Sequence, residues 1–413
     1  MKYELAMQHA RLSRRHALKL GAAGAAAAAM GETFLAASAG AEADPGPSDG
    51  AEGSRGGGGG SSGSYDDEMF DVEAVKAGAW APSRYGEGDQ RGAFNEITPE
   101  TTARALRLLD TRKEVRTYQL GEEMFNGFPA YPSDPPRLHE MYLYVAGVQA
   151  PQEFIDGGGI QSSVTEPLGA NQLTAMEERF AANFTFQIAT QIDGLPHIGV
   201  GETYYNGFNI FDLLAPTGAT ALGNETMGPI CTRAVILDIV GMKVAAGASD
   251  VLMEVDGKPV LVPNYRITID DIEHALYRQR IRRGLRSGDV PIFHTGWTHL
   301  ARTDADAYLA AEPGIYLAEA RYFADKRVAI VASDTWGLEV LDPTLTTGNA
   351  FPCHQELIVQ HGIRIGESFV TDTALADHVY EGVLVATPEN VPGATCSSAA
   401  PMLMGQPGRA PRS

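Results

Sequence analysis

Cysteine is scarce: Cys231, Cys353 and Cys396 are the only three in 413 residues, and no two stand at the short spacing of a zinc ribbon or a dithiol redox motif. Cysteine chemistry and a disulfide scaffold are therefore poor readings. An odd count in an oxidising compartment permits one bridge plus a free thiol, and the sequence does not say which two would pair. Basic residues are also in deficit, with 32 Lys and Arg against 52 Asp and Glu and a formal charge of −20. A field of that sign repels phosphate backbones, which argues against a nucleic-acid partner and for a small organic substrate. Outside the Gly/Ser tract at 56–64, absent too are a GxGxxG turn after a strand, a GxxxxGK[ST] loop, an HExxH helix and a GxSxG elbow. Nucleotide-binding, zincin and α/β-hydrolase readings lose their motifs with them. No segment repeats at the period of a solenoid or propeller.

What is present is ordinary globular material, 44% hydrophobic and 20% charged, after an unusual start. Ser13-Arg14-Arg15-His16-Ala17-Leu18-Lys19 sets paired arginines ahead of the apolar residues 20–30, and Ala37-Ser38-Ala39 offers a small-residue cleavage site. The stretch falls short of the roughly 20 residues of a membrane span. Residues 1–39 thus resemble a twin-arginine export signal, with Ala17 where an aromatic residue is usual, and the mature chain is expected to be exported and free of the membrane. Residues 40–66 include Gly56-Gly57-Gly58-Gly59-Gly60-Ser61-Ser62-Gly63-Ser64, which buries nothing and loses much backbone entropy on ordering. They read as a tether, leaving residues 67–413 as one large domain.

Apolar, β-branched runs at 141–145, 234–239, 290–293 and 328–331 predict buried strands. Residues 270–280 open on acidic side chains and close on Arg, as a helix dipole prefers, and residues 354–361 before Gly362 read as a helix stopped by a glycine cap. Alternating strands and helices predict a mixed α/β architecture with its chemistry on loops.

The densest polar constellation is Gln187-Ile188-Ala189-Thr190-Gln191-Ile192-Asp193-Gly194-Leu195-Pro196-His197. In an extended strand alternate residues share a face, so Gln187, Gln191 and Asp193 would point the same way. Composition alone equally allows the polar edge of a loop. The frame Gln187-x-Ala189-Thr190-Gln191-x-Asp193-x-x-x-His197 resembles the cyclase-family hallmark H-x-G-T-H-x-D-x-P-x-H, with glutamine at both early histidines and proline one position late, at Pro196. Further pieces resembling that family follow in order. They include Ser83-Arg84-Tyr85-Gly86, Tyr205-Asn206-Gly207, Val235-Ile236-Leu237-Asp238, Thr295-Gly296-Trp297, Ser333-Asp334-Thr335-Trp336-Gly337-Leu338-Glu339 and Phe351-Pro352-Cys353-His354-Gln355.

The resemblance implies a swivel-like α/β (mixed α+β) domain and a metal-dependent hydrolase of a C–N or C–O bond in a small cyclic amide, formamide or lactone. It implies a divalent ion, Mn(2+) or Zn(2+), held by Gln187, Gln191, Asp193, His354 and Glu367, and His197 as proton shuttle beside Asp193. It also implies at least a homodimer. The separation of His354 from Glu367 departs slightly from the family pattern. Amide oxygens are harder and weaker ligands than imidazole, so two such exchanges shift preference from zinc toward manganese or magnesium. Trp336, Tyr204, Tyr205 and Phe351 are candidate pocket walls, His294 and His299 could line a site, and His139, His274, His361 and His378 read as surface or hydrogen-bonded histidines. Two other readings use the same pocket: a cyclase or dehydratase without net hydrolysis, and a secreted binding protein without catalysis.

Overall fold

The runs rich in Val, Ile and Ala form strands buried on both faces, as parallel strands covered by helices must be. The computed structural model describes residues 65–411. The chain divides into Met1–Asp66 and Asp67–Ser413. The expected signal and all but the last two residues of the expected tether lie outside the described residues.

The second unit holds a nine-stranded sheet made of β1 (Arg116–Gln119), β2 (Gln191–Asp193), β3 (Ile230–Asp238), β4 (Val290–His294), β5 (Ile330–Ser333), β6 (Arg364–Glu367), β7 (Glu381–Ala386), β8 (Cys396–Ser398) and β9 (Met402–Gly405). Its order is β1-β9-β7-β3-β4-β5-β6-β2-β8. The centre, β3 to β6, is parallel, and the flanks are antiparallel. Ile192, Ile236, Ile292, Ile330 and Leu384 join one core on this sheet.

The parallel strands are connected through helices, among them α1 (Ile239–Ala246), α2 (Ile269–Arg278), α3 (Leu317–Lys326) and α4 (Pro352–His354). Helix α2 begins where the sequence indicates: Thr268 and Asp271 form a reciprocal capping box, and Ile272, Ala275 and Leu276 face inward at helical spacing. In such a sheet the loops beyond the carboxyl ends of the parallel strands gather on one edge, where α/β proteins place their ligands. Glu367 ends β6 there, and the loop after β5 carries Trp336 and Glu339.

Two expectations need correction. The run at 141–145 is a strand, Met141–Ala146, but it belongs to a separate three-stranded sheet with Ile160–Gln161 and Ala175–Phe180. Met141 and Leu143 are exposed there, as is every residue of Ala175–Phe180. Apolar composition signals a strand, but it does not say which sheet covers it. The expected helix 354–361 begins two residues earlier, at Pro352, and continues as a π-helix over Gln355–Gln360. Cys231, Cys353 and Cys396 are all free thiols. Among the described residues no helix is long and apolar enough to cross a membrane.

Candidate functional site

Strand β2 is only three residues long because Ala189, at φ 59°, turns the chain in the left-handed region just before it. The Thr190 hydroxyl fixes that entry, donating to the Ser368 carbonyl (2.6 Å) and accepting from Glu122 N–H (2.7 Å). Within the strand Ile192 packs into the core while Gln191 and Asp193 take the opposite face. Gln187 lies before the turn, outside the strand whose alternation sets Gln191 and Asp193 on one face, yet it lines the same cleft as Gln191. Gln191 stands opposite Glu367 of β6, and Asp193 opposite Cys396 of β8.

His354 arrives from α4. Its Nε2 lies 3.4 Å from Glu367 Oε1 and 3.8 Å from Asp193 Oδ2. One ligand atom from each of Asp193, His354 and Glu367 lies within 4.8 Å of the others, and all three residues are buried. His354 and Glu367 stand 13 positions apart, and the connection between them includes the π-helical segment Gln355–Gln360. Its i→i+5 bonds take one more residue per ring than an α-helix, a local adjustment frequent at functional sites.

Sequence reasoning gave Glu339 no role, yet the structure puts it at the centre of His354's placement. Its Oε1 accepts from His354 Nδ1 at 2.6 Å and from His354 N–H at 3.0 Å, and Oε2 accepts from Cys353 N–H at 3.0 Å. One carboxylate therefore caps the start of α4 and holds the proton on Nδ1, leaving Nε2 to face Asp193 and Glu367. An acid inside the apolar run Gly337-Leu338-Glu339-Val340-Leu341 is the signal that marks it in the sequence.

The donor set fits a divalent cation. Asp193 Oδ2 and Gln191 Oε1 are buried acceptors without a hydrogen-bond partner, while Gln191 Nε2 donates to Glu367 Oε2. Burial disfavours charge on His354, but the Glu339 and Glu367 carboxylates outweigh it and push the imidazole up to about 10. Burial and Asp193 push Glu367 up to about 7 against the pull of His354. Both directions express a cluster short of positive charge, which a hard or borderline ion with oxygen and imidazole ligands would supply.

Gln187 makes a different contact from the one expected of a ligand: its Nε2 lies 2.9 Å from His197 Nδ1. Burial holds His197 below its usual value, and the charges of Asp193 and His354 both act on it. The adjoining cleft is narrow, with a volume of about 20 Å³, and is lined by Tyr131, Arg137, Gln187, Trp336 and Glu367. Trp336 is fixed by Nε1–H to the Tyr308 carbonyl (2.7 Å), and Phe351 stands edge-on to His354 with centroids 5.2 Å apart. Nothing in the sequence near Pro135-Pro136 marks Tyr131 or Arg137 as a site residue.

The remaining candidates lie apart from this constellation. Tyr205 is core, its hydroxyl donating to Asp89 (2.7 Å), and Tyr204 is half-buried. His294 pairs with Thr371 (3.0 Å) and His299 with Asp372 (3.2 Å). His139 departs from expectation, being buried beside Phe180 and Phe184 with Nδ1 unpartnered, because these rings enclose it without supplying an acceptor or donor.

The Cyclase family model (Putative cyclase) matches residues 118–340, which include the segment from Gln187 to His197 and Glu339 but end before His354 and Glu367. A solved structure described as a novel cyclase is 26% identical, with a TM-score of 0.61, over 81% of this chain and 99% of that one. Isatin hydrolase A from Ralstonia solanacearum aligns at 16% identity and a TM-score of 0.48, over 75% of this chain and 98% of that one. No curated protein matches the sequence.

Proposed function

Because the chain belongs to the cyclase family, we propose that it is a hydrolase of a C–N or C–O bond in a small cyclic amide, formamide or lactone, and that it works with a divalent metal ion. The convergence of Asp193, His354 and Glu367 in a buried cluster beside a small cleft carries this reading. Gln191 completes the proposed ligand set through its unpartnered Oε1. Such an ion, when bound, would lower the pKa of a water and polarise a carbonyl. The oxygen-rich set favours manganese over zinc.

The protein's own groups do the rest. Glu339 orients His354, Tyr131 and Trp336 flank the substrate, and Arg137 offers a cationic contact at the cleft. His197 moves the proton. As placed, the Gln187 amide donates to His197 Nδ1, so the neutral ring carries its proton on Nε2 and begins as a donor. That arrangement suits protonation of a leaving nitrogen or oxygen. It equally favours the second reading, a dehydratase or cyclase that begins by protonating a departing hydroxyl. Mass change over a panel of lactams, formamides and lactones, with metal content measured on the same preparation, separates them. A gain of one water with about one equivalent of divalent ion upholds the hydrolase. Full turnover from ion-free protein overturns the metal reading, and turnover without water uptake overturns hydrolysis.

Gln187→Glu offers only acceptors and so moves the His197 proton to Nδ1. Since positioned acid–base groups contribute about 10²–10⁴ in rate, a drop in kcat of about 10² with KM little changed is expected. Nitrogen NMR of the His197 ring reads the change of tautomer directly, and a variant with switched tautomer and normal kcat would remove His197 from the chemistry.

A further inference from the structure

One buried charge has no part in that chemistry. Arg364 is the first residue of β6, at the opposite end of the strand from Glu367. It has no exposed surface, and its Nε, Nη1 and Nη2 all lack a hydrogen-bond partner within the protein. Its guanidinium lies over the Phe94 ring, 4.6 Å from the centroid. A cation–π contact offsets only part of the loss of hydration, and it leaves the N–H donors on the rim of the guanidinium unmatched.

The surrounding residues do not supply what is missing. Asp89 acts on Arg364 through space, but its oxygens are engaged elsewhere. Oδ2 accepts from Gly92 N–H (2.8 Å) and the Tyr205 hydroxyl (2.7 Å), and Oδ1 accepts from Asn95 Nδ2 (2.6 Å). Arg91 adds a second positive charge to the same neighbourhood. Burial pushes Arg364 down to about 9, which still leaves it charged at neutral pH. A water would satisfy donors without compensating charge. A single small anion would do both, and complete burial leaves no access for an organic one.

We propose that Arg364 anchors an interior site for a monovalent inorganic anion of the chloride class, held on the N–H edge of the guanidinium while Phe94 covers its face. This site is independent of the metal cluster and of the proposed reaction. The test is thermal unfolding of the whole chain in sodium chloride and in sodium gluconate at matched ionic strength, for the wild type and for Arg364→Met. A saturable rise in midpoint of about 2–4 °C in chloride is expected for the wild type, with no difference between the salts for R364M. Equal wild-type midpoints in both salts, or a chloride response retained by R364M, overturn the proposal. Should R364M fail to fold, wild-type crystals grown in bromide decide. An anomalous peak at the guanidinium upholds the site, and bromide found only elsewhere, as an adventitious ion only, overturns it.

Discussion

Asp193→Asn is expected to lower turnover by at least about 10³, the rate equivalent of losing several kcal/mol of charge stabilisation in the reacting complex. Asp193 has no exposed surface and its Oδ2 has no hydrogen-bond partner in the protein, so the substitution keeps shape and removes charge. Its stability signature should differ between two conditions. In chelator D193N is expected to change stability little, because the cost of burying the carboxylate and its attraction to the His354 imidazole, 3.8 Å away, oppose each other. With manganese at about a hundred times its Kd, the wild type should gain about 2.7 kcal/mol while D193N gains little. Denaturation with and without manganese reads both halves. A D193N protein that keeps its turnover and its manganese-dependent shift would remove Asp193 from the site.

The second large effect belongs to Glu339. Replacing it with leucine strands the N–H groups of Cys353 and His354 in the interior, and each buried donor left unmatched costs about 1–3 kcal/mol. Glu339→Leu is therefore expected to lose about 3 kcal/mol or more in chemical denaturation. Glu339→Gln is the finer probe, since it retains one acceptor oxygen and most of the volume. Loss of the charged partner to a ligating histidine typically weakens metal binding about 10–100-fold, and that is the shift expected in a manganese titration of E339Q. Unchanged affinity alongside lowered stability would reduce Glu339 to a helix cap.

The sequence carries the central parallel strands legibly because 230–238, 290–294 and 330–333 are buried on both faces, and double burial demands continuous apolar runs. Helix α2 is legible through its cap and its helical period. A motif frame and order single out Asp193, His354 and Glu367, and the fold brings one ligand atom of each within 4.8 Å of the others. The parts that were not legible have specific causes. A positive φ at Ala189 lies outside what alternation can foresee, and with it the contact of Gln187 with His197 Nδ1. Glu339 reaches His354 across fifteen residues, and only the folded loop after β5 makes them partners. Met141–Ala146 is apolar enough for a core yet sits in an exposed sheet, because burial depends on what packs against a strand as well as on its own composition.

The facing positions of Gln191 and Glu367 have a consequence for how this protein tolerates change. The two are 176 residues apart in the chain but adjacent on one antiparallel ladder, and β2 is tied on its other side to β8. The ladder works as a ruler. Loops between residues 194 and 363 can lengthen or shorten without altering the distance across the site, whereas a slip of one residue in the β2–β6 register would put Gly366 opposite Gln191 and turn Glu367 to another partner. Length variants should therefore be sought in the connections, and the three-residue strand should be left alone.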